Sequence, residues 1–159
     1  MGDNKFMIEV QAPQSMPMMK IPKIFLGGSI EMGVAAEWQK QVVAELADCE
    51  VMLLNPRRAD WDSSWLQTKD DSNFRAQVEW ELAALSQSDH IIMYLDPNTK
   101  SPISLLEMGL YAQSGKLLVV CPEGFWRKGN VDIVCEKYGF TQFDSLETLI
   151  AHVRRLLGK

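Results

Sequence analysis

The chain has 159 residues, 47% hydrophobic and 23% charged, with a formal net charge of −5 at pH 7 and a sequence pI near 5.0. A domain of this length buries about 70% of its unfolded surface, so one core is enough. The basic residues are scattered apart from Arg57-Arg58, Arg127-Lys128 and Arg154-Arg155, which excludes the clustered basic face of a general nucleic-acid binder.

Three cysteines (Cys49, Cys121, Cys135) without metal-ligand spacing and only two histidines (His90, His152) indicate neither a disulfide framework nor a structural zinc site. The first twenty residues lack the apolar core of a signal peptide, and no stretch approaches the roughly 20 apolar residues that span a bilayer. The expectation is a soluble, cytoplasmic protein without a membrane partner.

In chain order, residues 1–20 hold a short alternating patch (Phe6, Ile8, Val10) that fits an added edge strand or an arm. From Ile21 to residue 159 short apolar runs alternate with longer segments of helical period, the pattern of βα units. The expected elements are strand 23–27, helix 33–47, strand 50–54, a loop over 55–71, helix 72–87, strand 90–95, helix 102–114, strand 116–121, a short helix near 130–138, a short strand near Phe140 and helix 145–157. These define a single-domain, three-layer α/β fold of Rossmann or flavodoxin type, with a mostly parallel five-stranded sheet and helices on both faces. Ligands in such sheets gather at the carboxyl ends of the strands, where strand order reverses, so GGSIEMG, NPRRADWD, DPNTKSP and PEGFWRKGN are the informative loops.

LGGSIEMG follows the first of these strands. Gly27 and Gly28 allow close backbone approach, with Ser29 beside them, although the segment is neither a dinucleotide fingerprint nor a phosphate loop with G-K-[ST] and a plain tight turn also explains it. In NPRRADWDSSW, Asn55-Pro56 stops the strand. Asp60 or Asp62 either pairs Arg57 or Arg58 in a folded loop, or the loop walls a pocket in which Trp61 stacks on a flat ring and Arg57 meets oxygen atoms.

At about 100° per residue, with Phe74 at zero, Val78 falls near +40°, Leu85 near +20° and Glu81 near −20°, while Glu79 falls near 140°. Glu81 thus lies in the apolar face and Glu79 on the solvent side. A buried acid is either satisfied by an arginine or an amide, or holds a proton for chemistry. In SPISLLEMG, Ser101 fits an N-cap and Pro102 the first helical position. Leu105, Met108, Gly109 and Ala112 form one side of that helix, with Gly109 expected to pack closely on the sheet. Glu107 points away from this stripe, beside Ser104 and Tyr111, as an exposed acid or as a reactive group at a cleft wall.

Taken together, FLGGSI, NPRRADWD, QVEWEL, SDHIIMYL, SPISLLEMGLYAQSGKLLVVCP and GFWRKGNV resemble the nucleoside 2-deoxyribosyltransferase family, particularly its deoxyribosyltransferase-like branch, from about Ile21 to Val134. Glu107-Met108-Gly109 followed by Gly115-Lys116 is the most specific part. The resemblance implies that Glu107 is the nucleophile and that Glu81 holds the place of a base-contacting acid. The family's further acid falls near Ser101, with Asp96 five residues earlier, so Glu81, Asp96 and a loop aspartate are alternative proton donors. Phe25 stands where the family often has a tyrosine. Gly28-Ser29-Ile30 is followed by Glu31 where related nucleoside-monophosphate glycosidases have an arginine, which favours a nucleoside over a nucleotide unless Arg57 or Arg58 reverses that. Asn130 matches an asparagine that reaches a neighbouring subunit's site. Asn55, Asp62 and Trp61 complete the expected substrate contacts, and Trp61, Trp65 and Trp126 line a base pocket or anchor an interface.

The implied activity is double displacement at a sugar anomeric carbon through a glycosyl-Glu107 intermediate, with no metal or cofactor. The implied partners are a small-molecule nucleoside, a free nucleobase and further copies of the chain, at least a dimer with shared sites. The alternatives are hydrolysis of a nucleoside or its monophosphate on the same site, a nucleotide-sensing module without turnover, and a scaffold with a relic site.

Overall fold

A computed structural model describes residues 6–31 and 34–159. Its elements are β1 (Ile8–Gln11), β2 (Lys23–Leu26), α1 (Trp38–Glu45), β3 (Met52–Asn55), α2 (Ser72–Gln87), β4 (His90–Tyr94), α3 (Pro102–Tyr111), β5 (Leu117–Val120), α4 (Lys128–Tyr138), β6 (Thr141–Phe143) and α5 (Leu146–Leu156). The sheet has six strands in the order β1-β3-β2-β4-β5-β6, and every pairing is parallel. The α/β class and layering are those expected, but six strands replace five. The sixth is the alternating patch, whose Ile8 pairs in register with Met52 and whose Val10 pairs with Leu54.

Strands buried on both faces must be apolar throughout, because helices cover each side of a parallel sheet. Met52, Leu53, Leu54, Ile91, Ile92 and Met93 are accordingly without exposure. One core, including Phe25, Leu54, Leu85, Ile91, Met93, Met108 and Val131, lies under α2, α3 and α4. The other, including Ile24, Leu26, Trp38, Val42, Ile92, Leu149 and Val153, lies under α1 and α5.

Several helix limits differ from expectation. The first helix begins at Trp38 rather than residue 33, after Val34 and Ala35 donate their N–H groups back to the carbonyls of Glu31 and Ile30. The helix expected over 102–114 stops at Tyr111; Gly115 follows with φ 76° and turns the chain toward β5.

Strand order reverses between β2 and β4, so their carboxyl ends form the crevice that doubly wound sheets use for ligands. Gly28 is there because a Cβ at this position would stand 2.3 Å from the Tyr94 carbonyl oxygen, 2.5 Å from its nitrogen and 2.7 Å from the Trp38 ring. Two of those neighbours are backbone and cannot yield. Gly28→Ala is therefore expected to cost about 3 kcal/mol, as overpacking against fixed atoms does, and to lower the thermal midpoint by roughly 6–12 °C. Thermal unfolding by circular dichroism measures it.

Candidate functional site

The crevice is built first from hydroxyls. Ser29 and Ser101 share a short hydrogen bond; the Thr99 hydroxyl lies 3.0 Å from Ser29 Oγ and 2.7 Å from Ser101 Oγ; and the Asp96 N–H donates to Ser29 Oγ at 2.8 Å. All four residues are buried. Ser101 does stand at the N-cap of α3, but with φ 48° and no side-chain cap bond. Its hydroxyl is directed to the cluster instead of capping α3. Asp96 is fully engaged: Oδ2 accepts the Ala36 N–H at 2.7 Å and Oδ1 the Asn98 N–H at 2.9 Å.

The second component is a pair of acids. On α2, Gln77, Ala84 and Leu85 are buried, and Glu81 sits among them in phase, as its −20° position requires. Glu79 faces out and pairs with Arg75. On α3, Glu107 is only 8% exposed and its Oε2 is buried with no hydrogen-bond partner. Of the two expected placements, the exposed acid is therefore excluded. Relative to Met108, Glu107 lies at about −100°, outside the sheet-facing arc, so a neighbouring element buries it. The Glu81 charge reaches it from α2. Gly109, expected against the sheet, has open space where its Cβ would be, and the outward stripe is Ile103, Leu106 and Leu110.

Burial disfavours the charged form of a carboxyl, and a like charge nearby disfavours it further. Burial raises Glu107 to about 8, with the Glu81 charge adding to the shift. Burial raises Glu81 to about 7, against a hydrogen bond from Gln77 that lowers it. Groups poised near neutrality in a crevice have the character of acid–base chemistry.

Glu81 is held by Gln77, which the sequence reading missed, and through it by Arg58, whose expected pairing with Asp60 is present. Gln77 Nε2 donates to Glu81 Oε1 at 3.2 Å and to the Pro56 carbonyl at 3.1 Å, while its Oε1 accepts from Arg58 Nη1 at 3.2 Å. Arg58 is bound by Asp60 through both carboxylate oxygens, at 2.7 and 2.9 Å, and its guanidinium lies 5.0 Å from the Trp65 ring centre. The NPRRADWDSSW loop thus reaches Glu81 through one amide. Gln77 was legible, since its phase near −60° places it in the apolar arc of α2. Thr99 gave no such signal.

The other expected contacts are distributed differently. Arg57 donates to the carbonyls of Ala35 and Ala36 and to Gln39 Oε1, which ties β3 to the start of α1 and leaves the guanidinium committed inside the fold. Asn55 accepts from the Arg57 N–H and donates to Glu9. Asp62 is exposed and closes a turn with the Ser64 N–H. Phe25 is fully buried in the core, and its ring edge lies 2.9 Å from where a Gly27 Cβ would stand. Trp61 packs edge-on to Trp65 at 5.0 Å, with its indole N–H buried and unpartnered. Asn130 is exposed in the first turn of α4. A cavity of about 370 Å³ opens on the opposite side of the sheet, lined in part by Trp38, Tyr94, Asp144 and Glu147, and contains none of the expected site residues. Among the described residues no group of three or more His, Cys, Asp and Glu could hold a metal ion, and no helix is long and apolar enough to cross a membrane.

A doubly wound parallel sheet with a buried hydroxyl cluster where its strand order reverses, and two electrostatically coupled acids on α2 and α3, defines a protein of the α/β class. The chain belongs to the nucleoside 2-deoxyribosyltransferase-like family, whose model matches residues 21–125. That span includes β2 through the start of the loop after β5, and with it both acids and the hydroxyl cluster. A search of curated proteins gives no match. Family membership supports a nucleoside-related function of the deoxyribosyltransferase type.

Proposed function

We propose that the protein moves a 2-deoxyribosyl group between nucleobases through a covalent glycosyl-Glu107 intermediate. The observation that carries this reading is the Glu107 carboxyl itself: buried, unpartnered at Oε2, and within the field of a second carboxyl. An unsatisfied buried acceptor costs about 1–3 kcal/mol. A structural role does not repay that cost, whereas a bound sugar would.

In the first half-reaction the Glu107 carboxylate attacks C1′, the C1′–N bond breaks, and the departing base takes the proton from Glu81. In the second half, the Glu81 carboxylate left by that transfer accepts the proton of an incoming base as its nitrogen attacks C1′ and the C1′–O bond to Glu107 breaks, which restores the protonated Glu81 and the free Glu107 carboxylate. Retaining glycosidases use two carboxyl groups in the same division of labour. Asp96 is a weaker choice of donor, because both its oxygens already accept backbone N–H groups. Gln77 and Arg58 act as positioning residues for Glu81, and Trp61 supplies a flat apolar face with a free N–H for the base.

The test is incubation with deoxynucleosides, ribonucleosides and monophosphates, each with and without a second free base, with products separated by chromatography beside Glu107→Ala. A new nucleoside, absent with the variant, supports transfer. Free base alone would replace transfer by hydrolysis, and binding without turnover would replace both by a sensor.

The proposed partner is a second copy of the chain. Ile103, Leu106 and Leu110 are each more than half exposed along one side of α3, and Leu82 of α2 and Ile133 of α4 are exposed on the helices of the same layer. An exposed apolar stripe such as Ile103, Leu106 and Leu110 on one side of a helix is a mark of association. Leu106→Glu is expected to convert a dimer or larger assembly to monomer at micromolar concentration, measured by sedimentation velocity; a wild-type monomer under those conditions would refute the assembly.

A further inference from the structure

The cavity of about 370 Å³ on the α1 and α5 side of the sheet takes part in no step of the proposed reaction. It lies outside the carboxyl ends of β4, β5 and β6, where doubly wound sheets take ligands, and its volume is that of a small-molecule site. Its floor is apolar: Tyr94 ends β4, Val120 ends β5, and Pro122 follows. The Trp38 ring packs beside Tyr94, with 6.0 Å between ring centres and a tilt of 40°. Two helix heads form the walls. That of α1 brings Glu37 and Gln41, and that of α5 brings Asp144 and Glu147.

The charge of those walls decides the class of ligand. Glu37, Asp144 and Glu147 all carry carboxylates, and none of the described lining residues is a lysine, arginine or histidine. Helix heads ordinarily suit anions, but here donors at both heads are taken. The Ala36 N–H donates to Asp96 Oδ2 at 2.7 Å, and the Thr148 N–H to Ser145 Oγ at 3.1 Å. Glu147 adds its own negative charge to the first turn of α5 and is held by Gln41 Nε2 at 3.2 Å. Glu37 pairs with Lys40 outside the cavity, but both side chains are more than half exposed. A pair in that setting contributes little, so an incoming cation can displace the lysine. Burial, with the charges of Asp96 and Glu147, raises the Tyr94 phenol above its ordinary range. The ring therefore stays neutral and offers a face that attracts cations.

We propose that this cavity binds an aliphatic diamine: the methylene stem lies along Tyr94, Val120 and Pro122, one ammonium meets Glu37 on the α1 wall, and the other meets Asp144 and Glu147 on the α5 wall. Acids on two walls call for two cationic ends, and the apolar floor calls for a stem that loses its own exposure to water there. A small inorganic cation would leave that floor uncovered. The site contains neither Glu81 nor Glu107, so it stands whatever those acids catalyse.

The experiment is a titration of the ¹⁵N-labelled full-length protein with diaminobutane, beside butanediol as its uncharged and succinate as its anionic counterpart of equal chain length. The reporters are the Gln41 side-chain amide and the Trp38 indole N–H, which is fixed on the Ser29 carbonyl at 3.0 Å. The diamine is expected to shift both resonances saturably and to bind at least tenfold more tightly than either counterpart. Asp144→Asn combined with Glu147→Gln should weaken it at least tenfold; both side chains are exposed, and circular dichroism checks the fold. Glu37→Gln, on the other wall, should also weaken it and gives a separate reading should the double variant loosen α5. Butanediol or succinate binding as tightly as the diamine, no shift at either resonance at millimolar diamine, or unchanged affinity in the folded variants would overturn the proposal.

Discussion

Glu107→Gln is expected to abolish turnover while making the protein more stable at alkaline pH. Loss of a covalent nucleophile lowers kcat by about 10⁴-fold or more, because glutamine cannot form the glycosyl ester. The stability effect follows from linkage. Glu107 titrates near 8 in the folded chain, against an ordinary value of 4.5. Between those two values the folded state holds a proton that the unfolded state has released, so wild-type stability falls as pH rises through this window. Glutamine has no charge to bury and escapes that fall. Relative to wild type, the variant should gain about 2 kcal/mol or more on moving from pH 5 to pH 8.5, roughly 4–8 °C in thermal midpoint for a domain of this size. The comparison between the two pH values removes any constant cost of burying the new amide. A midpoint difference that does not change with pH would show that Glu107 is charged throughout and not desolvated.

The second large effect concerns the proton that the two acids share. Productive attack needs Glu107 ionised and Glu81 protonated, although Glu107 is the one shifted further, to about 8 against about 7 for Glu81. The productive arrangement is one of two singly protonated forms of a coupled pair, whose macroscopic titrations belong to both groups. The logarithm of kcat/KM should then trace a bell against pH with its maximum between 7 and 8, falling on the acid side as both acids are protonated and on the alkaline side as both ionise. Glu81→Gln should lower kcat about 10²–10⁴-fold and eliminate the alkaline limb, with the smallest loss for bases that leave readily without a proton. A variant profile that keeps its alkaline limb would assign the proton donor elsewhere. Gln77→Ala, which removes the amide between Arg58 and Glu81, should displace the alkaline limb upward, because Gln77 lowers the Glu81 titration.

Much of the architecture was legible because parallel sheets leave a strong mark: strands covered on both faces are short apolar runs, and the helices between them carry a 3.6-residue period. That period alone placed Glu81 in the apolar face of α2, and a motif-level resemblance singled out Glu107 independently. The same reasoning misjudged α3. Phase against a single sheet face placed Gly109 against the sheet and left Glu107 either exposed or beside a cleft, while the fold leaves Gly109 in open space and buries Glu107, which removes the exposed alternative.

What the sequence determined by itself was therefore periodic: the number of βα units, the apolar face of each helix, and the acids that sit within or beside those faces. What only the tertiary structure decided was relational. Arg57 and Arg58 are adjacent and chemically identical, yet one is bound to the carbonyls before α1 and the other reaches Glu81 through Gln77. Ser101 occupies a capping position but turns its hydroxyl to Ser29, more than seventy residues away in sequence. Such pairings arise when the chain crosses over at the switch point and brings separate loops to one crevice. Local spacing cannot encode them, because the energy of each contact depends on which remote donor or acceptor the fold places opposite it.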